Sequence, residues 1–283
     1  MLHQTVDLYA YFGLKRPEGG KGILTCMAPE APVSMREHRR HPAILLLPGG
    51  AYMLVSDREA EPVALRYMAK GFCAFILDYS VAPIQYPVQL IEAAMAMAYI
   101  RLEAELFHVA PNKVAALGFS AGGHLCGCLA TIFDDAPVLA ALKENAYLAR
   151  PDAVVLAYPV ITSGEKAHAA SFLNLCGEDA ALKARMSLET RVTKNAAPAF
   201  LWHTVADASV PVRNSLVLAM AYDEAGVPFT LHVFETGKHG LSTADSAVYA
   251  LNEVPEVSAG VTDWINMSVN WLFERGLRVD DGI

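Results

Sequence analysis

The sequence predicts an α/β fold in which helices cover both faces of a mostly parallel central sheet. Six short runs are nearly continuously apolar, as parallel strands are when both of their faces are buried. Longer stretches with helical spacing separate these runs, and such alternation is typical of βαβ units. The predicted strands are residues 43–47, 72–77, 113–118, 153–158, 199–204 and 229–234.

Three of the intervening stretches have helical patterns. Alanine, leucine and methionine dominate residues 88–107, where apolar residues recur at intervals of three and four. Residues 211–226 begin with a proline and close with a glycine, which is the usual asymmetry of helix starts and stops. Residues 262–276 are predicted to form the last helix.

Two early runs and one later segment depart from this alternation. Residues 4–10 and 22–26 are expected to add antiparallel edge strands. Residues 160–196 contain no clear strand although they lie between two predicted strands, so we expect a small helical cap insertion over the carboxyl edge of the sheet. Because we find no internal repeat or low-complexity linker, we predict a single domain over residues 1–283.

The composition indicates a globular protein that acts on small molecules. The 283 residues are 54% hydrophobic and 18% charged, with a formal net charge of −8, so no nucleic-acid partner is expected. No apolar run approaches the roughly 18 residues that cross a bilayer, and the start of the chain lacks the apolar block of a signal peptide. The five cysteines lack the paired C-x-x-C spacing of zinc sites. We therefore expect buried, reduced thiols, a cytoplasmic location and no membrane association, while self-association into a homo-oligomer stays open.

A serine between two glycines follows the predicted strand 113–118. Gly118, Ser120 and Gly122 fit the pattern G-x-S-x-G within the segment GFSAGGH, and the residues that follow are able to form a helix. In this strand–turn–helix setting a nucleophilic serine is held on a sharp turn, where only small neighbours fit. The following helix directs its positive N-terminal end at the site. We therefore predict that Ser120 is a nucleophile rather than part of an ordinary tight turn.

A serine hydroxyl needs a base, and His239 is the best placed of nine histidines. His239 lies in a glycine-flanked loop after the last predicted strand, at the carboxyl end of the sheet. Asp207 follows the strand 199–204 and is predicted to orient the imidazole and stabilise the imidazolium. The other histidines after the serine are His124, expected to point away from the turn, His168 in the cap, and His203 and His232 within apolar strands.

Two glycines after an early predicted strand expose backbone amides. The segment LLLPGGAY places Gly49 and Gly50 directly after the strand 43–47, where a side chain would block approach. Each amide that faces a carbonyl oxygen as it becomes negative stabilises the transition state by about 3 kcal/mol. We predict an oxyanion hole formed by Ala121, the residue after the nucleophile, together with Gly49 or Gly50.

Five ordered blocks between about residue 40 and about residue 245 resemble one enzyme family. LLLPGGAY, DYSVAP with YPVQLIEA, GFSAGGHL, WHTVADASVP and HVFETGKHGL are similar to the α/β-hydrolase esterases of the acetyl-xylan-esterase and feruloyl-esterase-like (BD-FAE-type) group, distantly related to hormone-sensitive-lipase-type esterases. The resemblance implies the α/β-hydrolase fold, in which the chain order is serine, acid, histidine. It implies Ser120 as nucleophile, Asp207 as acid and His239 as base, with DYSVAP as a structural element behind the site. One departure is Ala51, which replaces the third glycine of the lipase-type His-Gly-Gly-Gly loop.

These residues predict a serine carboxylic-ester hydrolase that works through an acyl-enzyme and needs no metal or organic cofactor. The resemblance implies a small-molecule ester substrate, such as an acetylated sugar or xylo-oligosaccharide. Two alternatives stay open, namely a prolyl-oligopeptidase-like serine peptidase, for whose large additional domain the chain has no room, and a non-catalytic binding module of the same fold. The residues expected to wall the substrate pocket are Tyr52, Met53, Phe172 and Leu173.

Overall fold

A computed structural model describes residues 1–30 and 39–280 of the protein. The centre of the structure is an eight-stranded sheet. Its strands are β1 (Leu2–Asp7), β2 (Ile23–Ala28), β3 (His41–Leu47), β4 (Cys73–Asp78), β5 (Val109–Phe119), β6 (Ala153–Ala157), β7 (Ala199–Thr204) and β8 (Phe229–Phe234). They lie in the order β1-β2-β4-β3-β5-β6-β7-β8. The pairs β1–β2 and β2–β4 are antiparallel, and the other five pairs are parallel. The predicted, mostly parallel sheet is therefore confirmed.

Helices cover both faces of this sheet, as predicted. The helices in the described residues are α1 (Leu8–Phe12), α2 (Glu61–Met68), α3 (Val88–Leu102), α4 (Ser120–Thr131), α5 (Ala136–Leu142), α6 (Ala169–Cys176), α7 (Ala180–Arg185), α8 (Arg213–Glu224) and α9 (Trp264–Glu274). Buried apolar residues form two clusters, one that includes α3, α4 and α8 and another that includes α2 and α9. Successive strand residues enter different clusters, with Leu45 in the first and Ile44 and Leu46 in the second. This alternation explains why the strands are apolar on both faces.

The observed elements match the predicted ones, with some shifted ends. The helix predicted over residues 88–107 ends at Leu102 because the chain turns there to enter β5. In that turn His108 has a φ of +53°, and the amide of Val109 donates to the carbonyl of Ala104 over 2.8 Å. Such a local turn carries no apolar periodicity, so the pattern of residues did not reveal it.

The two early runs form edge structure, although only one of them is a strand throughout. Residues 22–26 lie almost entirely in β2, which pairs antiparallel with β4. The run 4–10 divides, because β1 ends at Asp7 and the Asp7 carboxylate accepts a hydrogen bond from the amide of Ala10 over 3.1 Å. This side-chain cap begins α1.

The segment 160–196 is helical, as expected. It contains α6, α7 and a 3-10 turn at Leu188–Thr190, and it connects β6 to β7. From α6, the amide group of Asn174 donates to the carbonyl of Ala51 over 2.8 Å, so this segment contacts the loop that follows β3. Its function as a cap stays a prediction.

Within residues 1–30 and 39–280, no single helix has both the length and the apolar character needed to span a membrane. One bent pair, residues 120–131 with residues 136–149, meets those criteria only as two segments at 78° to each other. All five cysteines are buried and form no disulfide, as expected.

The parallel strands place several loops along one edge of the sheet. β3, β5, β6, β7 and β8 run in the same direction, so the residues that follow them meet at the carboxyl edge. From β3 the chain proceeds to β4 on one side, and it then returns to β5 on the other side. In open α/β sheets, this change of direction opens a crevice where ligands bind. The loop after β3 and the turn after β5 therefore face one crevice.

Candidate active site

Ser120 lies on a sharp turn between β5 and α4. Its φ is +53°, in the left-handed region that non-glycine residues rarely adopt. A Cβ atom on Gly122 would lie 2.0 Å from the carbonyl oxygen of Leu47, and one on Gly118 would lie 2.2 Å from the carbonyl oxygen of Gly122. Only glycine fits at these two positions, because the turn presses the start of α4 against β3. The packing therefore holds Ser120 in its unusual conformation.

The turn after β5 and the loops after β7 and β8 bring three polar side chains together. The distance from His239 Nε2 to Ser120 Oγ is 2.8 Å, and the distance from His239 Nδ1 to Asp207 Oδ2 is 2.6 Å. Both Ser120 and Asp207 are buried, while His239 is partly exposed. The serine, histidine and aspartate selected from the sequence thus form one continuous hydrogen-bonded chain.

The surroundings of Asp207 keep its carboxylate ionised. Burial alone would raise its pKa, but hydrogen bonds from His203 and His239 outweigh that effect and hold the pKa well below its usual range. Its second oxygen, Oδ1, accepts hydrogen bonds from the amides of Ser209 and Val210, each over 2.9 Å. An ionised Asp207 accepts a hydrogen bond from the N–H at Nδ1 of His239, so Nε2 presents its lone pair to the serine hydroxyl.

His203 is a fully buried core histidine, as the sequence predicts, but it also supports the acidic residue. Its Nε2 lies 2.8 Å from the carbonyl oxygen of Val210 and 3.4 Å from Asp207 Oδ2. Because both of these neighbours are acceptors, Nε2 carries the proton. Its Nδ1 then accepts a hydrogen bond from Ser215 over 2.8 Å. His203 therefore fixes the loop that carries Asp207.

The loop after β3 does not present both glycine amides to the crevice. The amide of Gly49 donates to Oε2 of Glu59 over 2.7 Å, so its single proton is already bonded to a buried carboxylate. This corrects the prediction for Gly49 and leaves Gly50 and Ala121 as the candidate oxyanion donors. Gly50 has a φ of +131°, and a Cβ atom there would lie 2.1 Å from the carbonyl oxygen of Leu54. The loop therefore requires glycine at this position.

Glu59, which the sequence did not identify, connects the two loops that flank Ser120. Its second oxygen accepts a hydrogen bond from the hydroxyl of Tyr158 over 2.7 Å, and that hydroxyl accepts one from the amide of Ser242 over 2.9 Å. The ring of Tyr158 also packs edge-on against His239, with 5.1 Å between ring centroids. Burial raises the pKa of Glu59, although its hydrogen bonds from Tyr158 and Gly49 oppose that effect. In the sequence, Glu59 lies in the charged segment SDREAEP, which carries no apolar pattern or motif to distinguish it.

A cleft of about 340 Å³ opens beside Ser120 and His239. Of the four residues predicted to wall the substrate pocket, Met53 lines this cleft. His168, which the sequence placed in the cap, also lines it. The cleft is lined by Gly50, Ala51, Met53, Leu54, Ser56, Arg58, Glu59, Ser120, His168, Ser209, His239 and Gly240.

The structure does not support the other three predicted wall residues. Tyr52 and Phe172 are buried and flank a small internal gap beside His124, which shares no lining residue with the cleft. The Tyr52 hydroxyl is 2.8 Å from His124 Nδ1, an interaction that draws the ring into the core. Leu173 is exposed on α6 and does not line the cleft. The sequence placed Tyr52 after the glycine loop and Phe172 and Leu173 in the predicted cap, but it did not specify which way each side chain points.

His124 points away from Ser120, as predicted. Its Nε2 lies 2.8 Å from the carbonyl oxygen of Met186 and therefore donates to it, while Nδ1 accepts a hydrogen bond from the Tyr52 hydroxyl. Burial lowers the pKa of His124 to about 4, so its ring is neutral at physiological pH. His124 is thus a structural link between α4 and the loop after β3.

The DYSVAP segment lies behind the same loop. The hydroxyl of Tyr79 donates to the carbonyl of Pro48 over 2.5 Å, and the amide of Ala82 donates to the carbonyl of Tyr52 over 2.7 Å. Both contacts involve backbone carbonyls of the glycine-containing loop. The segment therefore has the structural placement that the sequence predicts.

Comparison with known proteins identifies the family. The BD-FAE family matches residues 32–222. The structure resembles that of an acetyl ester-xyloside bifunctional hydrolase from Caldicellulosiruptor lactoaceticus, with a TM-score of 0.81, 32% sequence identity and 97% of each chain covered. It also resembles the carboxylesterase Cest-2923 from Lactobacillus plantarum WCFS1, with a TM-score of 0.79, 26% identity, and coverage of 90% of this chain and 94% of that one.

Among curated proteins, endo-1,4-beta-xylanase B of Butyrivibrio fibrisolvens is 36% identical over 220 residues, which are 73% of this chain and 33% of that protein. Acetylxylan esterase of Xylanibacter ruminicola is 27% identical over 237 residues, which are 81% of this chain and 45% of that protein. The chain thus spans less than half the length of either curated relative. Taken together, the match over residues 32–222, the structural similarity to these hydrolases and the mostly parallel sheet covered by helices show that this chain is an α/β hydrolase and belongs to the BD-FAE family.

Proposed function

We propose that the protein is a serine carboxylic-ester hydrolase that forms an acyl-enzyme on Ser120. The observation that carries this proposal is the hydrogen-bonded chain from Ser120 Oγ through His239 to Asp207, with distances of 2.8 and 2.6 Å. A serine, a base within hydrogen-bond reach and a group that orients the base are the parts that nucleophilic catalysis requires. The esterases among the relatives described above support the same reaction class.

In the acylation step, Ser120 Oγ attacks the ester carbonyl carbon while Nε2 of His239 accepts the hydroxyl proton. The carbonyl oxygen becomes negative, and the amides of Gly50 and Ala121 donate hydrogen bonds to it. The positive N-terminal end of α4 adds to this stabilisation. When the carbonyl re-forms, the bond to the alcohol breaks, and His239 gives its proton to the departing oxygen.

In the deacylation step, a water molecule attacks the acyl carbon and His239 accepts one of its protons. The second tetrahedral species collapses, Ser120 recovers the proton from His239, and the carboxylic acid leaves. Asp207 keeps its negative charge throughout and stabilises the imidazolium in both steps. The pKa of Asp207, which lies well below its usual range, suits this role because a carboxylate that stays ionised favours the protonated ring.

For the substrate, we propose acetyl esters of small sugars or xylo-oligosaccharides. The names of two relatives, an acetylxylan esterase and an acetyl ester-xyloside bifunctional hydrolase, support this class. A cleft of about 340 Å³ suits a short acyl group better than a long chain. We also propose a cytoplasmic location, which five buried cysteines without a disulfide support.

A substrate panel tests this proposal. The panel contains acetylated xylo-oligosaccharides, p-nitrophenyl esters of acetate, butyrate and decanoate, and a peptide p-nitroanilide. We expect kcat/KM to be highest for the acetyl esters and to fall with acyl length, because a cleft of about 340 Å³ has to hold the alcohol part as well as the acyl group. We expect no cleavage of the amide. Faster cleavage of the peptide amide than of the acetyl esters would indicate a peptidase instead.

A further inference from the structure

A second and larger groove adjoins the catalytic cleft. Its volume is about 740 Å³, and the residues that line it include Tyr249 and Arg58. Arg58 also lines the cleft that contains Ser120 and His239, so this side chain stands between the two spaces. A group on the substrate that extends from the cleft toward the groove would pass Arg58.

Two cations converge on the aromatic ring at this junction. The guanidinium carbon of Arg58 and Nζ of Lys238 each lie 5.1 Å from the ring centroid of Tyr249. Both distances are within the range of cation–π interactions. The hydroxyl of Tyr249 donates to the carbonyl of Gly240 over 2.9 Å, which fixes the ring beside the loop that carries His239. The positive charges therefore have defined positions next to the catalytic histidine.

Neither cation has a carboxylate partner in the described part of the chain. Ion pairs up to 4.0 Å occur nearby, as between Arg66 and Asp245 at 2.7 Å, but none involves Arg58 or Lys238. Both oxygens of the adjacent Glu59 are bonded to Gly49 and Tyr158. Arg58 lies close enough to Glu59 to lower the pKa of its carboxyl, but neither cation forms an ion pair among the described residues, so both attract an incoming anion in a protein whose formal net charge is −8.

We propose that Arg58 and Lys238 bind a carboxylate carried by the ester substrate, an inference that rests on the proposed ester hydrolysis. An arginine guanidinium matches a carboxylate through two parallel hydrogen bonds, and a lysine adds a second positive charge. The carbonyl of Arg58 accepts a hydrogen bond from Ser242 Oγ over 2.6 Å, which holds the base of this side chain beside the histidine loop. Asp57 and Glu61 line the outer groove and repel an anion there, so the carboxylate is held at the junction. The substrate class is therefore esters that bear an acid group, such as an acetylated sugar acid.

Two matched pairs of esters test this proposal. One pair, 4-acetoxybenzoate and 4-acetoxybenzamide, differs by a carboxylate on the alcohol part. The other pair, the p-nitrophenyl monoester of succinate and its methyl ester, differs by a carboxylate on the acyl part. The quantity measured is the ratio of kcat/KM for the anionic ester to kcat/KM for the neutral one. This ratio does not depend on the fraction of enzyme that is folded.

We expect Arg58→Gln to lower this ratio by about tenfold for at least one pair, because a charge-assisted hydrogen bond is lost. Lys238→Gln should lower the same ratio to a smaller extent. Added salt should lower the ratio of the wild type, since both cations are exposed to solvent. The control is Lys194→Gln, which removes an exposed charge that lines neither the cleft nor the groove and should leave the ratio unchanged.

The two pairs distinguish the position of the acid group. If Arg58→Gln has a lower ratio than the wild type for the benzoate pair, the carboxylate lies on the alcohol part of the substrate. If it has a lower ratio for the succinate pair, the carboxylate lies on the acyl part. Equal ratios in the wild type and Arg58→Gln for both pairs would overturn the carboxylate site but leave ester hydrolysis intact. Failure of the wild type to cleave any of the four esters would overturn both proposals.

Discussion

Individual side chains at this site depend on contacts that are far apart in the chain. Ser120 has a φ of +53°, and the carbonyl groups of Leu47 and Pro48 leave no space for a side chain two residues later, at Gly122. Asp207 stays ionised because His203 and His239 donate to it, and His124 stays neutral because it is buried. Each of these states has a physical cause that a substitution is able to remove.

His124 makes the stability of the protein depend on pH. Burial lowers its pKa from 6.5 to about 4, so between these values the unfolded chain binds more protons than the folded protein. The stability that His124 contributes is complete above about pH 6.5 and is lost as the pH falls toward 4. His124→Gln keeps a donor for the carbonyl of Met186 but does not titrate. Between pH 7 and pH 4.5, both proteins should lose unfolding free energy. We expect the loss in His124→Gln to be smaller than the loss in the wild type by about 2 kcal/mol.

Urea unfolding followed by tryptophan fluorescence at the two pH values measures this difference. His3→Gln, at an exposed histidine, serves as the control and should behave as the wild type does. Equal losses for His124→Gln and the wild type would show that His124 is not held neutral by the fold.

The turn between β5 and α4 leaves no space for an added side chain. In Gly122→Ala, the new Cβ would lie 2.0 Å from the carbonyl oxygen of Leu47 and 2.3 Å from that of Pro48. Because neither backbone group is able to move freely, we expect a loss of at least about 2 kcal/mol of unfolding free energy. We also expect a lower kcat, since Pro48 directly precedes the glycines of the proposed oxyanion loop.

Gly226→Ala is the matched control for this substitution. Gly226 has a φ of +66° but open space around its Cβ position, so only the backbone strain of about 1 kcal/mol applies. Thermal and urea unfolding of the two variants, together with their kcat on p-nitrophenyl acetate, separate the two effects. Gly122 itself has no left-handed φ, so a loss in Gly122→Ala no greater than the loss of about 1 kcal/mol in Gly226→Ala would mean that the close approach of α4 to β3 does not limit the turn.

Glu59 joins the loop after β3 to the loop that carries His239. In Glu59→Gln the side chain keeps its shape, but one of its two acceptor oxygens becomes an amide nitrogen, which cannot accept a hydrogen bond. The side chain can then accept from Gly49 or from Tyr158, but not from both. One of these two donors is then left unpaired, and the loop that carries Gly50 shifts. We expect kcat to fall by about 10- to 100-fold with little change in KM, because an oxyanion donor acts in the transition state.

Glu92 offers a matched control for Glu59. It is also a buried carboxylate, and it accepts bonds from Ser80 Oγ over 2.6 Å and from the Tyr9 hydroxyl over 2.9 Å. It does not line the catalytic cleft. Glu92→Gln should destabilise the fold while the folded enzyme keeps its kcat. If Glu59→Gln and Glu92→Gln lowered kcat equally, the lower kcat of Glu59→Gln would come from a less stable fold and not from a displaced Gly50 loop.

At the scale of strands and helices, apolar patterns were sufficient to predict most of the sheet. The runs 199–204 and 229–234 coincide with β7, which is buried throughout and leaves a continuous apolar signature, and with β8, a half-buried edge strand. Boundaries at α1 and at the end of α3 were missed because a single capping carboxylate or a local turn sets them. Such features occupy one or two residues and leave no periodic trace.

The whole molecule determines which side chains meet. Ser120, Asp207 and His239 could be predicted from sequence because each follows a strand, and parallel strands deliver their ends to one edge. Glu59 and the true direction of Tyr52 could not be predicted, because each depends on a partner from another loop or helix. The sequence left open whether Gly49 or Gly50 joins Ala121 in the oxyanion hole, because the bond from Gly49 to Glu59 is formed only in the folded chain.

The arrangement of the whole sheet edge is tested most directly at Ser120. The measurement is the turnover of p-nitrophenyl acetate by the wild type and by Ser120→Ala, with circular dichroism and thermal unfolding to establish that both are folded. Removal of the hydroxyl from the hydrogen-bonded chain should lower kcat by about 10⁴-fold or more and leave the unfolding temperature close to that of the wild type. Turnover by a folded Ser120→Ala protein at a rate near that of the wild type would contradict the proposed acyl-enzyme.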